Sequence, residues 1–376
     1  MATRLGSVDP SKYPVESFDL YSIPAFDSGE PQVLKGGEIG STKQIVEPGD
    51  VLLSRIVPHI RRAWVVGKSQ GRRIIASGEW IVFRNGRVDS RYLRHVLVGD
   101  PFHSEFMRTV SGVGGSLLRA RPAYVGKIRI PLPPLPEQQR IAEILDNADA
   151  LRVKRRSALA QLDTLIQSIF LDFFGDPIEN PRQMPVRQLV QLVDTARPIS
   201  YGILMPGPIQ TNGVKYVRVV DMRDGGIELS GVRETTHEIS NAYRRSLLKT
   251  GDLLMSIRGH VGRLAIVPPA LDEANITQDT ARLALVGVEQ VFVRECLRTE
   301  AFRRWMAKHT KGVAVRGINL SDVKLMPIPL PSLIEQRQFV RLAEKADNLK
   351  AVYQASLARS DALFASLQYR AFRGEL

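Results

Sequence analysis

The sequence contains a single cysteine, Cys296, in the run VFVRECLR. A lone thiol excludes an intramolecular disulfide and favours a reducing, cytoplasmic setting. Its apolar neighbours predict a buried structural thiol rather than a nucleophile. No apolar run approaches the ~20 residues of a membrane span, and the first residues, MATRLGSVDPSKYPVE, lack the apolar core of a signal peptide. We therefore expect a cytoplasmic protein that does not enter a membrane.

Several enzyme motifs are missing as well. No Gly-x-Gly-x-x-Gly opens a helix after a strand, and no Gly-x4-Gly-Lys-Ser/Thr loop is present to hold a nucleotide phosphate. The Asn/Asp-Pro-Pro-aromatic loop of an amino-methyltransferase, which holds a flipped base, has only a remote counterpart in Asp176-Pro177-Ile178. The six histidines are scattered and offer no zinc-like spacing. The chain is predicted to lack a catalytic site, although carboxylates that cluster in space around Mg²⁺ leave no sequence motif.

Positive charge is abundant. The chain has 52 lysines and arginines against 39 aspartates and glutamates, a formal net charge of +13. Such a surplus suits a nucleic acid, an acidic membrane surface or an acidic protein. No polybasic run flanks a hydrophobic anchor, which weakens the membrane interpretation. Arginine is commoner than lysine here, and its guanidinium forms paired hydrogen bonds to phosphate or guanine. Nucleic acid is therefore the leading partner class.

The chain carries an internal repeat of a long segment. The first copy, residues 130–176, reads IPLPPLPEQQRIAEILDNADALRVKRRSALAQLDTLIQSIFLDFFGD. The second copy, residues 328–374, reads IPLPSLIEQRQFVRLAEKADNLKAVYQASLARSDALFASLQYRAFRG. Beyond the shared Ile-Pro-Leu-Pro start, identical residues recur at a constant offset: Glu137-Gln138 with Glu335-Gln336, Ala148-Asp149 with Ala346-Asp347, and Ser168 with Ser366.

Each copy predicts one long amphipathic helix, which we call a rod helix. In the first, Pro136 suits the first turn and Glu137 the positive end of the helix dipole. In the second, Ser332 and Glu335 form a capping-box pattern. Apolar residues recur at three- and four-residue spacing, as in a coiled-coil seam. A helix of about 37 residues extends roughly 55 Å. Because an isolated apolar stripe needs a partner, we expect the two rods to pair antiparallel.

The segments before the rods are similar to each other only in outline. In the first, the predicted strands are 18–23, 44–46, 51–54, 63–66, 73–76 and 79–83, and helical spacing begins after a candidate N-cap at Asp89. In the second, Gly251-Asp252-Leu-Leu-Met-Ser256 matches Gly49-Asp50-Val-Leu-Leu-Ser54, and helical patterning covers 291–308. The first segment has no equivalent of residues 177–208.

These patterns predict a mixed α/β (α+β) fold. Two similar globular domains, residues 1–130 and 177–327, are joined by two long antiparallel coiled-coil-like helices, residues 131–176 and 328–376, in a pseudo-twofold repeat. Two modules held some tens of Å apart suit two half-sites on one face of a DNA duplex. Because the modules differ in sequence, we expect an asymmetric, split target.

Two segments of each domain are candidates for contact with nucleic acid. The stretch after each Gly-Asp turn is rich in Arg and His, which suits guanine or phosphate, although a solvated strand end is the alternative. The glycine-rich loop before each rod permits close approach to a phosphate, although a flexible link is the alternative. Gln278 suits an adenine, or else is a buried turn residue. The candidates are Arg55, His59, Arg61, Arg62, Ser111, Gly112, Gly115, Ser116, Arg119 and Arg121 in the first domain, and Arg258, Gly259, His260, Arg263, Gln278, Lys311, Arg316 and Asn319 in the second.

Four segments resemble a known family: IPLPPLPEQQRIAEILDNADAL, IPLPSLIEQRQ, SIRGHVGRLAIVPPALDEANITQDTARL and AFRGEL. They are similar to the DNA-specificity subunit of Type I restriction-modification systems, and the resemblance covers essentially the whole chain. It implies two target recognition domains that each read one part of a bipartite double-stranded DNA sequence. It also implies rods that set the spacing and dock two methyltransferase subunits, with two motor-nuclease subunits completing the complex. S-adenosylmethionine, ATP and Mg²⁺ are then expected in those partners, and no cofactor in this chain.

The outward faces of the rods are the expected docking surface for the other subunits. The candidate residues are Glu137, Gln138, Arg152, Arg155, Arg156, Glu335 and Gln336. The arginine run also suits the DNA backbone, or is simply a solvated helix face. Two rivals to the DNA-recognition hypothesis stay open: a self-sufficient DNA methyltransferase or nuclease, and a coiled-coil adaptor that bridges proteins without DNA.

Overall fold

The computed structural model describes residues 6–84, 86–112, 118–223, 225–312 and 316–376. Its contacts divide the chain into unit 1, Met1–Arg156 with Ala355–Leu376, and unit 2, Ser157–Gln354. Each unit holds a globular body and a part of both rods, and the mixed α/β class is confirmed. Within the described ranges, no helix combines the length and the apolar character needed to cross a bilayer.

Unit 1 contains two main sheets, and all six strands predicted for it are present. The five-stranded sheet has the order Ser7–Val8, Lys43–Ile45, Arg73–Ala76, Ser17–Tyr21 and Gln32–Lys35. The three-stranded sheet has the order Ala63–Val65, Val51–Ser54 and Trp80–Phe83, and a short ribbon pairs Val110–Ser111 with Arg119–Ala120. The strand Ser7–Val8 pairs antiparallel with Lys43–Ile45 and forms an edge of the larger sheet.

The first helix of unit 1 lies between two strands of the larger sheet, and the helices that come after the sheets pack on the smaller one. The helices are Ile23–Ser28, Ser90–Val98, Asp100–Arg108 and Pro122–Val125, followed by the first rod. The expected cap is confirmed, because Asp89 Oδ1 accepts from the backbone N–H groups of Arg91 and Tyr92 at 2.9 and 3.0 Å. The core beneath these helices includes the fully buried Tyr92.

Unit 2 repeats this plan with additional strands. Its four-stranded sheet has the order Ser200–Tyr201, Thr280–Leu283, Leu253–Ser256 and Leu264–Ile266, and its three-stranded sheet the order Arg233–Thr235, Val214–Val217 and Asn275–Ile276. Two further pairs are Met222–Arg223 with Gly226–Ile227 and Val186–Gln188 with Pro327–Pro329. The helices are His237–Ala242, Gln290–Arg298, Glu300–His309, Leu320–Lys324 and the second rod.

Strand register shows that the repeat extends to the globular bodies. The strand after each Gly-Asp turn lies between the same two neighbours, and both pairings are antiparallel. The matching partners are Leu53 with Ala63 and Ile81 in unit 1, and Met255 with Leu264 and Ala281 in unit 2. Two similar domains, predicted from a short sequence match, are therefore confirmed.

The helical patterning of residues 291–308 resolves into two helices, Gln290–Arg298 and Glu300–His309. The break lies at Thr299, whose hydroxyl accepts from the backbone N–H of Phe302 at 3.4 Å and so caps the second helix. Cys296 lies in the first of them and is fully buried, as predicted. Burial raises the pKa of its thiol because the low-polarity surroundings disfavour the thiolate.

The rods run over Leu135–Phe174 and Leu333–Ala371. Within unit 1, Arg152 Nε donates to Asp361 Oδ1 at 2.6 Å. Within unit 2, Lys350 Nζ donates to Asp163 Oδ1 at 2.9 Å, and Phe170 packs edge-to-face on Phe339. In both units an early residue of one rod meets a late residue of the other, so the expected antiparallel pairing is confirmed.

The apolar seam of the rods has a role that its spacing did not predict. Ile141 and Leu145 are fully buried in the core of unit 1, together with Tyr92. Ile166 and Phe170 belong in the same way to the core of unit 2. Each end of a rod is therefore part of a globular core, and burial of these side chains contributes about 1.5–3 kcal/mol apiece.

Gln138 and Gln336 occupy equivalent positions and are both only 2% exposed. Gln138 Oε1 accepts from the backbone N–H of Asp89 at 2.9 Å, and its Nε2 donates to the carbonyl of Pro133 at 2.8 Å. Gln336 makes the same two bonds with Glu289 and Pro331, at 3.0 and 2.9 Å. The expectation that these glutamines face outward is wrong, because each amide fastens a domain helix to the start of a rod.

Replacement of either glutamine by alanine is expected to lower the free energy of unfolding of the full chain by about 1–3 kcal/mol, since a buried N–H and a buried carbonyl lose their partners. Chemical denaturation measures the change. Gln139→Ala is the matched control, because that neighbouring side chain is exposed. An equal loss in the control would show that the two bonds contribute nothing particular.

Candidate nucleic-acid interface

The two candidate segments of unit 2, far apart in sequence, are joined by backbone hydrogen bonds. Ile318 N–H donates to the carbonyl of Ile257 at 2.9 Å, and Gly259 N–H donates to the carbonyl of Arg316 at 2.9 Å. The stretch after the Gly-Asp strand and the loop before the rod therefore form one surface. Its exposed residues include Arg258, Gly259, His260, Lys311, Arg316 and Asn319.

A cleft of about 830 Å³ opens on one side of this surface, and we call it the amide cleft. It is lined by four of the candidates, Arg258, Gln278, Lys311 and Asn319, and by Tyr201, which the sequence did not single out. Arg258 Nη1 donates to Gln278 Oε1 at 3.4 Å. The amide of Gln278 is partly exposed, and neither of its N–H groups has an acceptor among the residues that the structure describes.

Two further cavities, of about 550 and 730 Å³, adjoin on the other side, and we call them together the arginine trough. Both are lined by His260, Gly262, Arg263 and Arg303. The larger also includes Arg316. Among the described residues that line the trough there is no carboxylate. Such a surface attracts anions.

The cations of this surface differ in whether a carboxylate neutralises them: Arg223, Arg298 and Arg303 of the trough pair with Glu228, Glu295 and Glu300. Arg263 Nη1 donates to the carbonyl of Val219 at 3.3 Å. Of the carboxylates within the described ranges, none forms an ion pair with Arg258, Arg263 or Arg316. Their full positive charge is available to a ligand.

Unit 1 brings its two candidate segments together in the same way. Ala120 N–H donates to the carbonyl of Arg55 at 2.8 Å, and Ile56 bridges to Arg119. The loops before the two rods also share a backbone feature: Gly112 and Gly312 have φ angles of 129° and 104°, which favour glycine. Ser111 and Gly112 are exposed, whereas Gly115 and Ser116 lie outside the described residues.

Four candidate arginines of unit 1, in contrast, are paired with carboxylates. Arg61 Nη1 lies 2.6 Å from Asp100 Oδ1, and Arg62 makes a two-bond pair with Asp27 at 3.0 and 3.2 Å. Glu79 pairs with both Arg55 and Arg119, at 3.1 and 3.3 Å. Arg121 donates to the carbonyl of Thr109 and stacks on the ring of Tyr124. His59 is exposed. Equivalent surfaces therefore carry different free charge in the two units.

A family model described as the Type I restriction modification DNA specificity domain matches residues 104–161. The specificity subunit of the Type I restriction enzyme EcoBI of Escherichia coli is 29% identical over 325 residues, which cover 79% of this chain and 68% of that protein. The chain is similar to the specificity subunits of Type I restriction enzymes over most of its length.

Solved structures show that the fold of this chain is shared. The S subunit of a Type I restriction-modification system from M. genitalium has a TM-score of 0.55 at 11% identity, over 98% of this chain and 92% of that one. A chain from a study of assembly and conformational transition of the type I R-M system has a TM-score of 0.54 at 20% identity, over 100% and 96%.

The rod arginines do not all face outward as expected. Arg152 is 18% exposed, bonds to Asp149 and Asp361, and lies 4.3 Å above the ring of Phe364. Arg155 Nε donates to Ser356 Oγ at 2.8 Å. These two arginines therefore serve the pairing of the rods within unit 1. Accessible side chains remain at Arg156, Glu137 and Glu335.

The Ala-Asp pair that recurs in both rods marks a contact that was not predicted from the sequence. Asp149 and Asp347 lie at equivalent positions on the rods and pair with equivalent arginines, Arg94 at 3.8 Å and Arg294 at 2.6 Å. These pairs fasten a domain helix to a rod in each unit. Across the described ranges, His, Cys, Asp and Glu side chains form no group of three or more placed to hold a metal ion.

Proposed function

We propose that this chain is the non-catalytic subunit that recognises the DNA target of a Type I restriction-modification complex. The observation that carries the proposal is the surface that recurs in both units, where the segment after the Gly-Asp strand is bonded to the loop before the rod. One such surface per unit suits one half of a bipartite target. The recognition domains are then residues 1–130 and 177–327, and the rods, residues 131–176 and 328–376, set the distance between the halves.

The chemistry of unit 2 supports two kinds of contact. Arg258 and Gln278 in the amide cleft present donors and acceptors that suit guanine and adenine edges, and Tyr201 adds an aromatic face. Arg263 and Arg316 in the arginine trough suit phosphates, which position a protein without selecting a sequence. The remaining candidates, His59, Arg61, Arg62, Ser111, Gly112, Arg121, Gly259, His260, Lys311 and Asn319, are proposed as phosphate or sugar contacts.

The partners are two methyltransferase subunits and two motor-nuclease subunits, which bind S-adenosylmethionine, ATP and Mg²⁺. The rods carry exposed apolar side chains that support docking, among them Leu151, Val153 and Val352 at 51, 56 and 62% exposure. Glu137, Arg156 and Glu335 are the proposed polar contacts.

A comparison of genome-wide methylated positions in cells with and without the chain tests the proposal. We expect one split sequence motif to lose methylation when the chain is removed. The purified complex should then bind that motif at least 10³ times more tightly than scrambled DNA at physiological salt. Equal affinity for both would overturn the proposal, and absence of salt-dependent DNA binding would favour a protein-bridging adaptor. Product formed by the isolated chain with labelled methyl donor and Mg²⁺ would favour an enzyme.

A further inference from the structure

Unit 1 carries a cluster of three charged side chains at the place where its two candidate segments meet. Glu79 accepts a hydrogen bond from Arg55 Nε at 3.1 Å through Oε2, and from Arg119 Nη2 at 3.3 Å through Oε1. Arg119 Nε adds a longer contact to Oε2 at 3.5 Å. One carboxylate therefore holds two guanidiniums, and Glu79 was not among the residues that the sequence pointed to.

The backbone fixes the positions from which these side chains extend. Arg55 N–H donates to the carbonyl of Glu79 at 3.0 Å, and the carbonyl of Arg55 accepts from Ala120 N–H at 2.8 Å. Arg55 follows the strand Val51–Ser54, and Glu79 precedes the strand Trp80–Phe83. The cluster is thus built on the ends of paired strands, which hold a side chain more firmly than a free loop does.

Arg55 uses only its Nε in this cluster. Neither of its two terminal nitrogens, Nη1 and Nη2, has an acceptor among the residues that the structure describes, and the side chain is 34% exposed. A guanidinium presents its donors in a rigid plane, so fixing Nε with a carboxylate also fixes the direction of the other two. Those two donors have the spacing that guanine O6 and N7 require in the major groove.

We infer that Glu79 positions Arg55 to recognise a guanine in the half-site contacted by unit 1. Glu79 is a positioning residue that acts through Arg55 and does not itself touch the DNA. This inference rests on the proposed function, and it names the base that one surface selects.

The electrostatics of the cluster agree with this role. Partial burial raises the pKa of Glu79, but the hydrogen bonds and the charges of Arg55 and Arg119 outweigh that effect and hold the pKa below its ordinary value. The carboxylate therefore stays ionised at neutral pH. A bond between ionised groups is stronger and more directional than a neutral one, which suits a side chain that must keep one orientation.

The equivalent place in unit 2 has no such cluster. The register of the repeat puts Ile257 where unit 1 has Arg55, since the backbone N–H of each donates to the carbonyl of Asp279 or Glu79 respectively. Arg119 corresponds to Gly317 through the matching bridges. Unit 2 has the amide of Gln278 on the corresponding surface. This difference is consistent with two half-sites of different sequence.

The experiment is a binding series with the full chain assembled with its methyltransferase subunits. Each base pair of the recognised sequence is replaced in turn, and affinity is measured for the wild type, Glu79→Gln and Arg55→Ala. We expect both variants to lose discrimination at the same single G·C pair, in the unit 1 half, by roughly 5- to 150-fold. Discrimination in the other half should not change. Glu16→Gln is the matched control, because Glu16 also makes a two-bond pair, with Arg73 at 2.6 and 2.7 Å.

A double variant separates a positioning role from a structural one. If Glu79 acts through Arg55, Glu79→Gln should add nothing further in the Arg55→Ala background. Additive losses, or an unchanged discrimination profile in Glu79→Gln, would overturn the inference and leave the proposed function intact. Should Glu79→Gln fail to fold, Arg55→Ala alone decides whether a single G·C pair depends on this cluster. A wild-type complex that discriminates at no base pair would overturn the proposed function itself.

Discussion

Removal of three charges from the arginine trough, in the variant Arg263→Gln, Arg303→Gln, Arg316→Gln, is expected to weaken binding of target DNA about a hundredfold at ~0.15 M salt. The estimate follows from counterion release. Each phosphate contact contributes about −0.9 to the slope of the logarithm of the binding constant against the logarithm of the salt concentration, so three contacts contribute about −2.7. Because phosphate contacts carry no sequence information, scrambled DNA should lose affinity by a similar factor.

The reason to expect so large an effect in unit 2 is that the three guanidiniums removed are unpaired or only weakly paired among the described residues. Neither Arg263 nor Arg316 has an ion-pair partner among the described residues, and the single carboxylate near Arg303, that of Glu300, lies 3.9 Å away at an exposed position. A guanidinium already paired with a carboxylate displaces fewer counterions when it reaches a phosphate. The structure thus predicts that unit 2 supplies most of the salt-dependent affinity.

A second triple variant removes the same charge from paired arginines of unit 1. The changes are Arg73→Gln, Arg91→Gln and Arg108→Gln, whose side chains pair with Glu16, Asp146 and Glu105. We expect the slope to change by less than about one unit in this control. Measurement is by equilibrium binding between ~0.05 and ~0.3 M salt. Equal slope changes in both triple variants would show that net charge, and not the trough, determines phosphate binding.

The charge state of these surfaces is what the sequence was least able to predict. Its repeat placed arginines after the Gly-Asp strand in both copies, and that placement is correct. Whether each arginine is free depends on carboxylates from distant segments, such as Glu79 for Arg55 and Asp100 for Arg61. Those pairings are set by the register of strands and by helix packing. Local sequence patterns do not reveal which carboxylate each arginine meets.

The rods, in contrast, were largely predictable from the sequence. Their existence, bounds and antiparallel pairing follow from apolar spacing and from the two matching copies, because helical periodicity is a local property. The prediction that Gln138 and Gln336 face outward was wrong because their surroundings are set by tertiary packing. Gln138 is polar and follows Glu137 at the start of a helix, so the local sequence suggests a side chain in contact with solvent. Its amide is instead buried against the backbone of Asp89. Recurrence of the same glutamine in both copies was the available signal.

Exchange of the second recognition domain is the other change with a large expected effect. Replacing residues 177–327 by the corresponding domain of one of the similar specificity subunits should replace one half of the methylated motif and leave the other half unchanged. The physical reason is that each unit has its own core and its own surface, so the donors and acceptors of unit 1 are not altered by the exchange. Sequencing of methylated positions identifies which half changes.

Insertion of four residues, about one helical turn, in the middle of both rods is the matched change. It should leave both halves of the motif intact and lengthen the unread spacer between them, because the side chains that contact bases stay within their own units. The insertion point lies between the buried ends, close to Arg156 and Ala355, where neither core is interrupted. If the exchange altered both halves, or if the insertion left the spacer unchanged, then the division of labour between domains that select bases and rods that set distance would be wrong.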